Sequence, residues 1–259
     1  MGDVLIEVKR LSKTYQTQKK EQLLAIKEVT FKIYPGEFVS VVGPSGCGKS
    51  TLLKIIGGLL PKTSGDIFLE NQPVEGPRKD IGIVFQEPVL LPWRTVLENT
   101  ILPIEIQRLD VKAYESVAIK LLEMVGLEGF ENKYPFELSG GMQQRNAITR
   151  ALIHDPKILL MDEPFGALDA MTREQMNIEL LKIWRKSQKT IFFITHSIPE
   201  AIFLSDRVIV FSQRPGTIAQ IIETKLPRPR TLEMMNTEAF GKLSKKIREH
   251  FPFKSETAL

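Results

Sequence analysis

The sequence predicts an α/β fold with a mainly parallel sheet. The first observation is that the almost wholly apolar run at 38–42 leads into a glycine-rich loop and then a helical pattern at 51–56. The second is that apolar runs of strand length, typical of buried parallel strands, recur at 81–85, 156–161 and 191–195. The third is that helical patterns lie between those runs, at 95–107, 112–125 and 142–154.

The glycine-rich loop, GPSGCGKST at 43–51, fits the pattern G-x-x-x-x-G-K-S/T. Glycines there let backbone N–H groups approach phosphate oxygens, and the N-terminus of the following helix adds positive potential. Lys49 would neutralise the β- and γ-phosphates, and the Ser50 hydroxyl would ligate magnesium. We therefore predict a P-loop whose nucleotide-binding residues are Gly43, Pro44, Ser45, Gly46, Cys47, Gly48, Lys49, Ser50 and Thr51.

Two adjacent carboxylates, Asp162 and Glu163, end the apolar run at 156–161. Side chains alternate along an extended segment, so the two groups can take different roles. We assign Asp162 to the magnesium shell and Glu163 to polarising the attacking water. The alternative is a solvated junction between a strand and a turn.

A second glycine segment, LSGGMQQR, lies at 138–145. Ser139 suits the N-cap of the predicted helix 142–154, and two glycines leave the first-turn N–H groups accessible to an anion. Asp155 precedes a proline and so ends that helix. Together with the P-loop, this string resembles the signature of the ATP-binding-cassette (ABC) ATPases, which pair the two motifs at this spacing.

The resemblance covers roughly residues 4–225 and implies the architecture of that family. We expect a P-loop NTPase cassette at 1–225, with a RecA-like core, a mainly parallel sheet and an antiparallel β subdomain. A helical subdomain is expected at about 87–150. Residues 226–259 would then form a short basic linker and a C-terminal helix.

Further site residues follow from the resemblance. Gln86 matches the Q-loop glutamine, which reaches the metal and the water, and His196 matches the switch histidine, which contacts the γ-phosphate. Tyr15 resembles the aromatic residue that stacks on adenine, and 167–169 resembles the D-loop. Taken singly, His196 and Tyr15 also fit structural roles. The predicted catalytic residues are Glu163, His196, Gln86 and Lys49; the metal ligands are Ser50, Gln86 and Asp162; and Tyr15, Ser139, Gly140, Gly141 and Gln143 join the P-loop in binding nucleotide.

In ABC ATPases, each ATP lies between the P-loop of one cassette and the signature of another. This chain has one of each motif, so the resemblance implies a head-to-tail homodimer with two equivalent sites, ATP and Mg²⁺. Ser139, Gly140 and Gly141 would act on the ATP held by the partner.

Composition limits the other possibilities. The chain has 259 residues, 42% hydrophobic and 25% charged, as is usual for a globular protein. We expect no transmembrane span and no signal peptide, because no apolar run is long enough and the first residues resemble a strand. The single cysteine, Cys47, excludes an internal disulfide and fits a reducing compartment. Its side chain is either a small filler residue in the P-loop or a redox-sensitive thiol. A net charge of +4 does not indicate a nucleic-acid partner.

The interval from Gln86 to Leu138 is too short for the coiled coils of DNA-repair relatives, and the chain shows no second cassette. LLPWRTVLEN at 90–99, with 205–210 and 214–216, resembles the nitrate/sulfonate/taurine importers, a group that also serves pyrimidine precursors. We therefore expect an ATP-hydrolysing importer subunit on the cytoplasmic face of the inner membrane. Its partners would be a membrane permease and, indirectly, an external solute-binding protein. An exporter cassette and a permease-free ABC ATPase stay as alternatives.

Two segments have open interpretations. Leu90, Leu91 and Trp93 either form a docking groove for the permease or pack inside the helical subdomain. The sequence LPRPR at 226–230 predicts a stiff, basic, extended linker. The following helix has an apolar face that either packs onto the cassette or lies at a membrane surface; it consists of Phe240, Leu243, Ile247 and Phe251.

Overall fold

A computed structural model describes residues 3–16 and 20–251. Predictions that include residues 1–2, 17–19 or 252–259, such as the ends of the expected cassette and tail, lie partly outside this range. The chain divides into two compact units. The first joins the part up to Gly76 to the part from Phe193 onward, and the second is Pro77–Phe192.

The strands are β1 Ile6–Gln16, β2 Gln22–Ile33, β3 Phe38–Val42, β4 Ser64–Leu69, β5 Gln72–Pro73, β6 Ile81–Val84, β7 Ile158–Asp162, β8 Thr190–Thr195, β9 Arg207–Phe211 and β10 Ile218–Glu223. The α-helices are α1 Lys49–Ile56, α2 Val96–Ile106, α3 Val111–Met124, α4 Gly140–Leu152, α5 Ala170–Ser187, α6 Ile198–Leu204 and α7 Glu238–Arg248. Short 3₁₀ helices lie at Pro135–Glu137 and Leu232–Asn236.

The first unit contains an antiparallel sheet and a parallel strand pair. The antiparallel sheet has the order β2-β1-β4-β5. Strand β3 pairs in parallel with β9, with Val39 opposite Arg207, and β10 pairs antiparallel with β9. All five residues of β3 are buried, as the apolar run predicted, and this strand leads directly into the predicted P-loop.

The second unit packs helices α2, α3 and α4 around a small core and contains the parallel pair β6 and β7. Ile101, Ile104, Ala118 and Ile153 form that core. Helix α2 begins at a capping box, in which Thr95 and Glu98 satisfy each other's backbone N–H groups. The predicted Q-loop and the predicted signature therefore belong to the same unit.

The predicted α/β class, with parallel strands and a separate antiparallel sheet, is confirmed. Helix α4 differs from its predicted span: it runs from Gly140 to Leu152 rather than from 142 to 154. The N-cap Ser139 starts the helix at the next residue, and Asp155 adopts a left-handed φ of 55° shortly after its end. The bounds 1–225 and 226–259 for cassette and tail stay predictions.

The C-terminal helix α7 packs onto α6 within the first unit. Phe240 and Ile247 of its apolar face are buried, while Leu243 and Phe251 are half-buried. This burial favours the packing interpretation over a membrane-surface helix. No helix in the described parts of the chain, 3–16 and 20–251, is both long and apolar enough to span a bilayer.

His154 makes the stability of the fold depend on pH. Its Nδ1 is buried without a hydrogen-bond partner among the described residues. Burial lowers the pKa of His154 below its ordinary value of 6.5, although a hydrogen bond with the Ile81 backbone and the charge of Asp155 oppose the shift. Between pH 6.5 and the lower pKa of His154 in the folded state, the unfolded chain binds more protons than the folded chain. The free energy of unfolding therefore falls as the pH is lowered through this range.

We expect the melting temperature of the wild type to fall more steeply than that of His154→Gln from about pH 7 to about pH 5. The variant cannot gain the proton that the folded state disfavours. Differential scanning calorimetry at several pH values measures both slopes. Parallel slopes would contradict the assignment.

Candidate nucleotide-binding site

The predicted P-loop connects β3 to α1 in the first unit. Gly46 and Gly48 have left-handed φ values of 73° and 107°, which glycine adopts without a steric cost. Gly48 is the N-cap of α1 and has no side chain to cap the first turn. The Lys49 ammonium folds back over the loop and donates to the carbonyl oxygens of Gly43 (2.9 Å) and Pro44 (3.1 Å). The open helix N-terminus and the adjacent ammonium suit a bound polyphosphate.

Two glycines of the loop and one glycine from another segment allow the loop backbone to lie close to neighbouring chain. A Cβ at Gly43 would be 2.9 Å from the Cβ of Phe211, and one at Gly48 would be 3.0 Å from the Ala25 carbonyl oxygen. A Cβ at Gly216 would overlap the Cys47 carbonyl oxygen. Cys47 itself is 1% exposed, so its side chain fills space beneath the loop.

Tyr15 lies beside the start of α1. Its hydroxyl and the Thr51 hydroxyl are 3.1 Å apart, and the Lys13 ammonium lies 5.2 Å from the centre of its ring. Tyr15 is half-buried, so part of the side chain faces solvent at the edge of the predicted nucleotide site. The contact with Thr51 places Tyr15 beside the P-loop helix, and its adenine contact stays a prediction.

His196 is exposed and lies in the first unit, between the end of β8 and the start of α6. Both of its neighbours are fixed. The Ser197 N–H donates to the Thr195 hydroxyl at 2.9 Å, and the Thr195 hydroxyl donates to the buried Glu200 carboxylate in the first turn of α6. The backbone position of His196 is thus set by the start of this helix.

The second unit brings Gln86 close to the turn that follows Glu163. Asp162 is the last residue of β7, and Glu163 has a left-handed φ of 45°. A Cβ placed at Gly166 would lie 3.3 Å from the Glu163 carbonyl oxygen and 3.5 Å from the Gln86 side-chain nitrogen. A non-glycine residue in this backbone region is uncommon and strained, and such residues cluster at functional sites.

The predicted signature forms the start of α4 in the same unit. Ser139 is the N-cap, and its hydroxyl accepts from the Met142 N–H at 3.3 Å. Ser139 and Gly140 are exposed, and Gly140 lies against Leu168 in the segment predicted as the D-loop. Gln143, predicted to bind nucleotide, donates to the carbonyl oxygens of Pro135 (2.9 Å) and Leu138 (3.3 Å), so its amide also holds the segment that precedes the helix.

Sequence reasoning missed two arginines that hold loops of the second unit. Arg150 on α4 donates to the carbonyl oxygens of Pro88 (2.7 Å) and Val89 (2.8 Å), just after Gln86. Arg173 on α5 donates to the carbonyl oxygens of Phe165 (3.1 Å) and Leu168 (2.8 Å), just after Glu163. Their carbonyl partners are distant in sequence or hidden in loops, so no local pattern identifies them.

The segment after Gln86 exposes apolar side chains. Trp93 is 71% exposed, and Val89 is also exposed, while Leu90 and Leu91 are half-buried. Phe136 is 76% exposed and stacks on Tyr134 with their ring centres 5.6 Å apart. The packing interpretation therefore fails for Trp93, and the exposed surface is available to a partner.

A protein-family model described as "ABC transporter" matches residues 26–166, which is more than half of the chain. The chain belongs to the ABC transporter family. It is an ATP-binding cassette of the ATP-hydrolysing kind, which agrees with the P-loop and the signature.

Relatives extend the similarity over most of the cassette. An uncharacterized ABC transporter ATP-binding protein of Methanocaldococcus jannaschii is 50% identical over 88% of this chain and 85% of its own length. The aliphatic sulfonates import ATP-binding protein of Bacillus cereus strain ZK is 44% identical over 96% of each chain. The taurine import ATP-binding protein of Rhizobium johnstonii is 47% identical over 83% of this chain and 82% of its own.

A solved structure shows the same fold. It is a dimeric, post-hydrolysis state of an ATP-binding cassette bound to ADP and Pi, with a TM-score of 0.72 and 37% identity. The match covers 84% of this cassette and 98% of that chain. The antiparallel sheet, parallel strands and helices described above are therefore those of an ABC cassette.

The close contact between Gly216 and the Cys47 backbone leads to a prediction for ATP binding. We expect Gly216→Ala to weaken ATP binding about tenfold, because the new methyl group must displace the Cys47 backbone within the phosphate-binding loop. Isothermal titration with ATP measures the affinity, at a temperature where circular dichroism shows both proteins folded. Gly76→Ala, at a glycine with open space around it, is the matched control. Equal affinities for Gly216→Ala and wild type would sink this prediction.

Proposed function

We propose that the cassette is the ATP-hydrolysing subunit of an importer, and that a head-to-tail dimer couples ATP binding and hydrolysis to solute uptake through a separate permease. The observation that carries the proposal is that one chain holds one P-loop and one signature, each at the start of a helix. The relatives named for import of aliphatic sulfonates and of taurine support import. They favour a sulfonate within the nitrate, sulfonate, taurine and pyrimidine-precursor class.

In the proposed cycle the first unit binds the nucleotide. The P-loop backbone and Lys49 hold the β- and γ-phosphates, and the Tyr15 ring stacks on adenine. The bond between the Tyr15 and Thr51 hydroxyls supports this role, because it keeps the ring beside the P-loop helix. His196 contacts the γ-phosphate from the start of α6.

The second unit supplies the groups for hydrolysis. Glu163 polarises the attacking water as general base, and Gln86 orients it. The strained backbone of Glu163 and the nearness of Gln86 to the same turn support these roles. Arg150 and Arg173 hold the two loops that carry these side chains.

Ser50, Asp162 and Gln86 fit a magnesium ion, because all three offer oxygen donors of the kind that this hard cation prefers. Oxygen atoms of bound ATP would complete the coordination. Bound Mg²⁺ would neutralise charge on the phosphates. Ser50 and Asp162 would each supply an oxygen ligand to the ion.

The signature acts across the dimer. Ser139, Gly140 and Gly141 would contact the ATP that the partner's P-loop holds, which closes two equivalent sites. The exposure of Ser139 and Gly140 supports this contact, as does the dimeric state of the related cassette with ADP and Pi.

The exposed surface around Trp93 and Val89 would contact the permease. The subunit would then be peripheral on the cytoplasmic face of the membrane, and an external solute-binding protein would meet only the permease. Large exposed apolar side chains near the Q-loop support this arrangement, since aromatic residues are enriched in protein interfaces.

We expect Glu163→Gln to form an ATP-bound dimer that persists with little turnover, because binding is retained while the base is lost. Size-exclusion chromatography with light scattering and a phosphate-release assay measure both properties. The double variant Glu163→Gln, Ser139→Arg should remain monomeric with ATP, because arginine blocks the contact across the dimer. A monomeric single variant, or one that hydrolyses ATP at the wild-type rate, would exclude the proposed cycle.

The transport assignment is tested by purifying tagged Glu163→Gln with Mg-ATP from detergent-solubilised membranes of the native cells. We expect a polytopic membrane protein at one-to-one stoichiometry, identified by mass spectrometry. Recovery of a permease of the exporter type would favour the exporter alternative and overturn the importer proposal. A soluble partner, or none, would favour a permease-free ATPase and overturn the importer proposal.

Trp93→Ser should weaken the recovery of the permease while ATP binding stays unchanged.

A further inference from the structure

The segment Leu226–Arg230 contains two arginines for which the proposed cycle has no role. A basic linker is expected to present its charges to solvent. Instead, the Arg230 side chain is only 1% exposed, and Arg228 is largely covered as well. We call Arg228 and Arg230 the tail arginines. Their burial requires partners that compensate for the lost hydration of two cations.

The partners are the carbonyl groups at the end of α6. Arg230 donates through Nη1 to the carbonyl oxygens of Ile202 (3.0 Å) and Phe203 (2.7 Å), and through Nη2 to that of Ser205 (2.7 Å). Arg228 donates to the carbonyl oxygen of Leu204 (3.0 Å). The tail arginines thus bind four consecutive carbonyls, 202–205, where the last turn of a helix lacks partners and concentrates negative potential.

The tail arginines are themselves fixed in the first unit. Arg228 also binds Asp206 Oδ1 at 2.7 Å, and the other oxygen of Asp206 accepts from the Phe38 N–H at 2.9 Å. Phe38 is the first residue of β3, the strand that leads into the P-loop. Arg230 also donates to the Thr224 hydroxyl at 3.1 Å. The end of α6 is therefore tied to the framework that carries the phosphate-binding loop.

The other end of α6 carries His196. Ser197, the next residue, is the N-cap of this helix, and Thr195 bonds to Glu200 in its first turn. The helix has seven residues, about 10 Å at 1.5 Å per residue. Since so short a helix moves as a unit, a shift at its C-terminal end is transmitted to the backbone of His196.

We infer that Arg230 is a positioning residue that, together with Arg228, fixes the end of α6 and thereby sets the position of His196 against the γ-phosphate. This inference rests on the proposed function of His196. It gives the C-terminal segment, which lies outside both the P-loop and the signature, a role in ATP hydrolysis. Burial lowers the pKa of Arg230 to about 10, so the guanidinium stays charged at neutral pH.

The test is a double-mutant cycle between Arg230→Met and His196→Ala, measured as ATP turnover with labelled ATP. We expect Arg230→Met to lower kcat about tenfold and to change the KM for ATP less than about twofold, because misplacing His196 affects the reacting geometry more than nucleotide binding. On the His196→Ala background, Arg230→Met should change kcat less than about twofold. Rates are normalised to the number of ATP-binding sites, so that a loss of folded protein is not counted.

Lys225→Met is the matched control, since this exposed neighbour pairs with Glu223 and its removal also deletes one positive charge. It should leave kcat unchanged. If Arg230→Met does not fold, Arg230→Lys takes its place, because a lysine keeps the charge but cannot bind several carbonyls as a fork. An equal loss of kcat on both backgrounds would overturn the inference and leave the proposed function intact. Full activity of His196→Ala would instead refute the role proposed for His196, and with it the inference.

Discussion

At three positions around the P-loop, backbone lies so close to neighbouring chain that a Cβ atom would come within 3.0 Å of it. Gly43 meets Phe211, Gly48 meets the Ala25 carbonyl, and Gly216 meets the Cys47 carbonyl. These contacts let a strand, a hairpin and a helix start meet at one loop, and they leave the helix N-terminus open for an anion. The phosphate-binding loop therefore depends on this close packing.

The sequence predicted the elements whose signals are local. The buried run 38–42 became β3 without change, and the helical pattern predicted at 95–107 became α2, Val96–Ile106. Family membership followed from two motifs and their spacing. The start of α4 was placed two residues too late, because the glycines of the signature have low helix propensity even though Ser139 caps them.

The contacts that hold the candidate site could not be predicted in the same way. Arg150, Arg173 and Arg230 are ordinary basic residues in the sequence, and each becomes informative only when the fold brings backbone carbonyls to it. For Arg230 those carbonyls are more than twenty residues away along the chain. The left-handed backbone of Glu163 is equally hidden, since a glutamate before a proline carries no signal for a positive φ.

The backbone of Glu163 has a consequence for engineering a more heat-resistant form of this protein. Its φ of 45° costs of order 1 kcal/mol for a residue that carries a Cβ atom; glycine would remove that cost and asparagine would lower it. A search that selects only for thermal tolerance should therefore favour replacing this glutamate. The same replacement removes the carboxylate proposed as the base, so heat resistance and turnover compete for a single side chain.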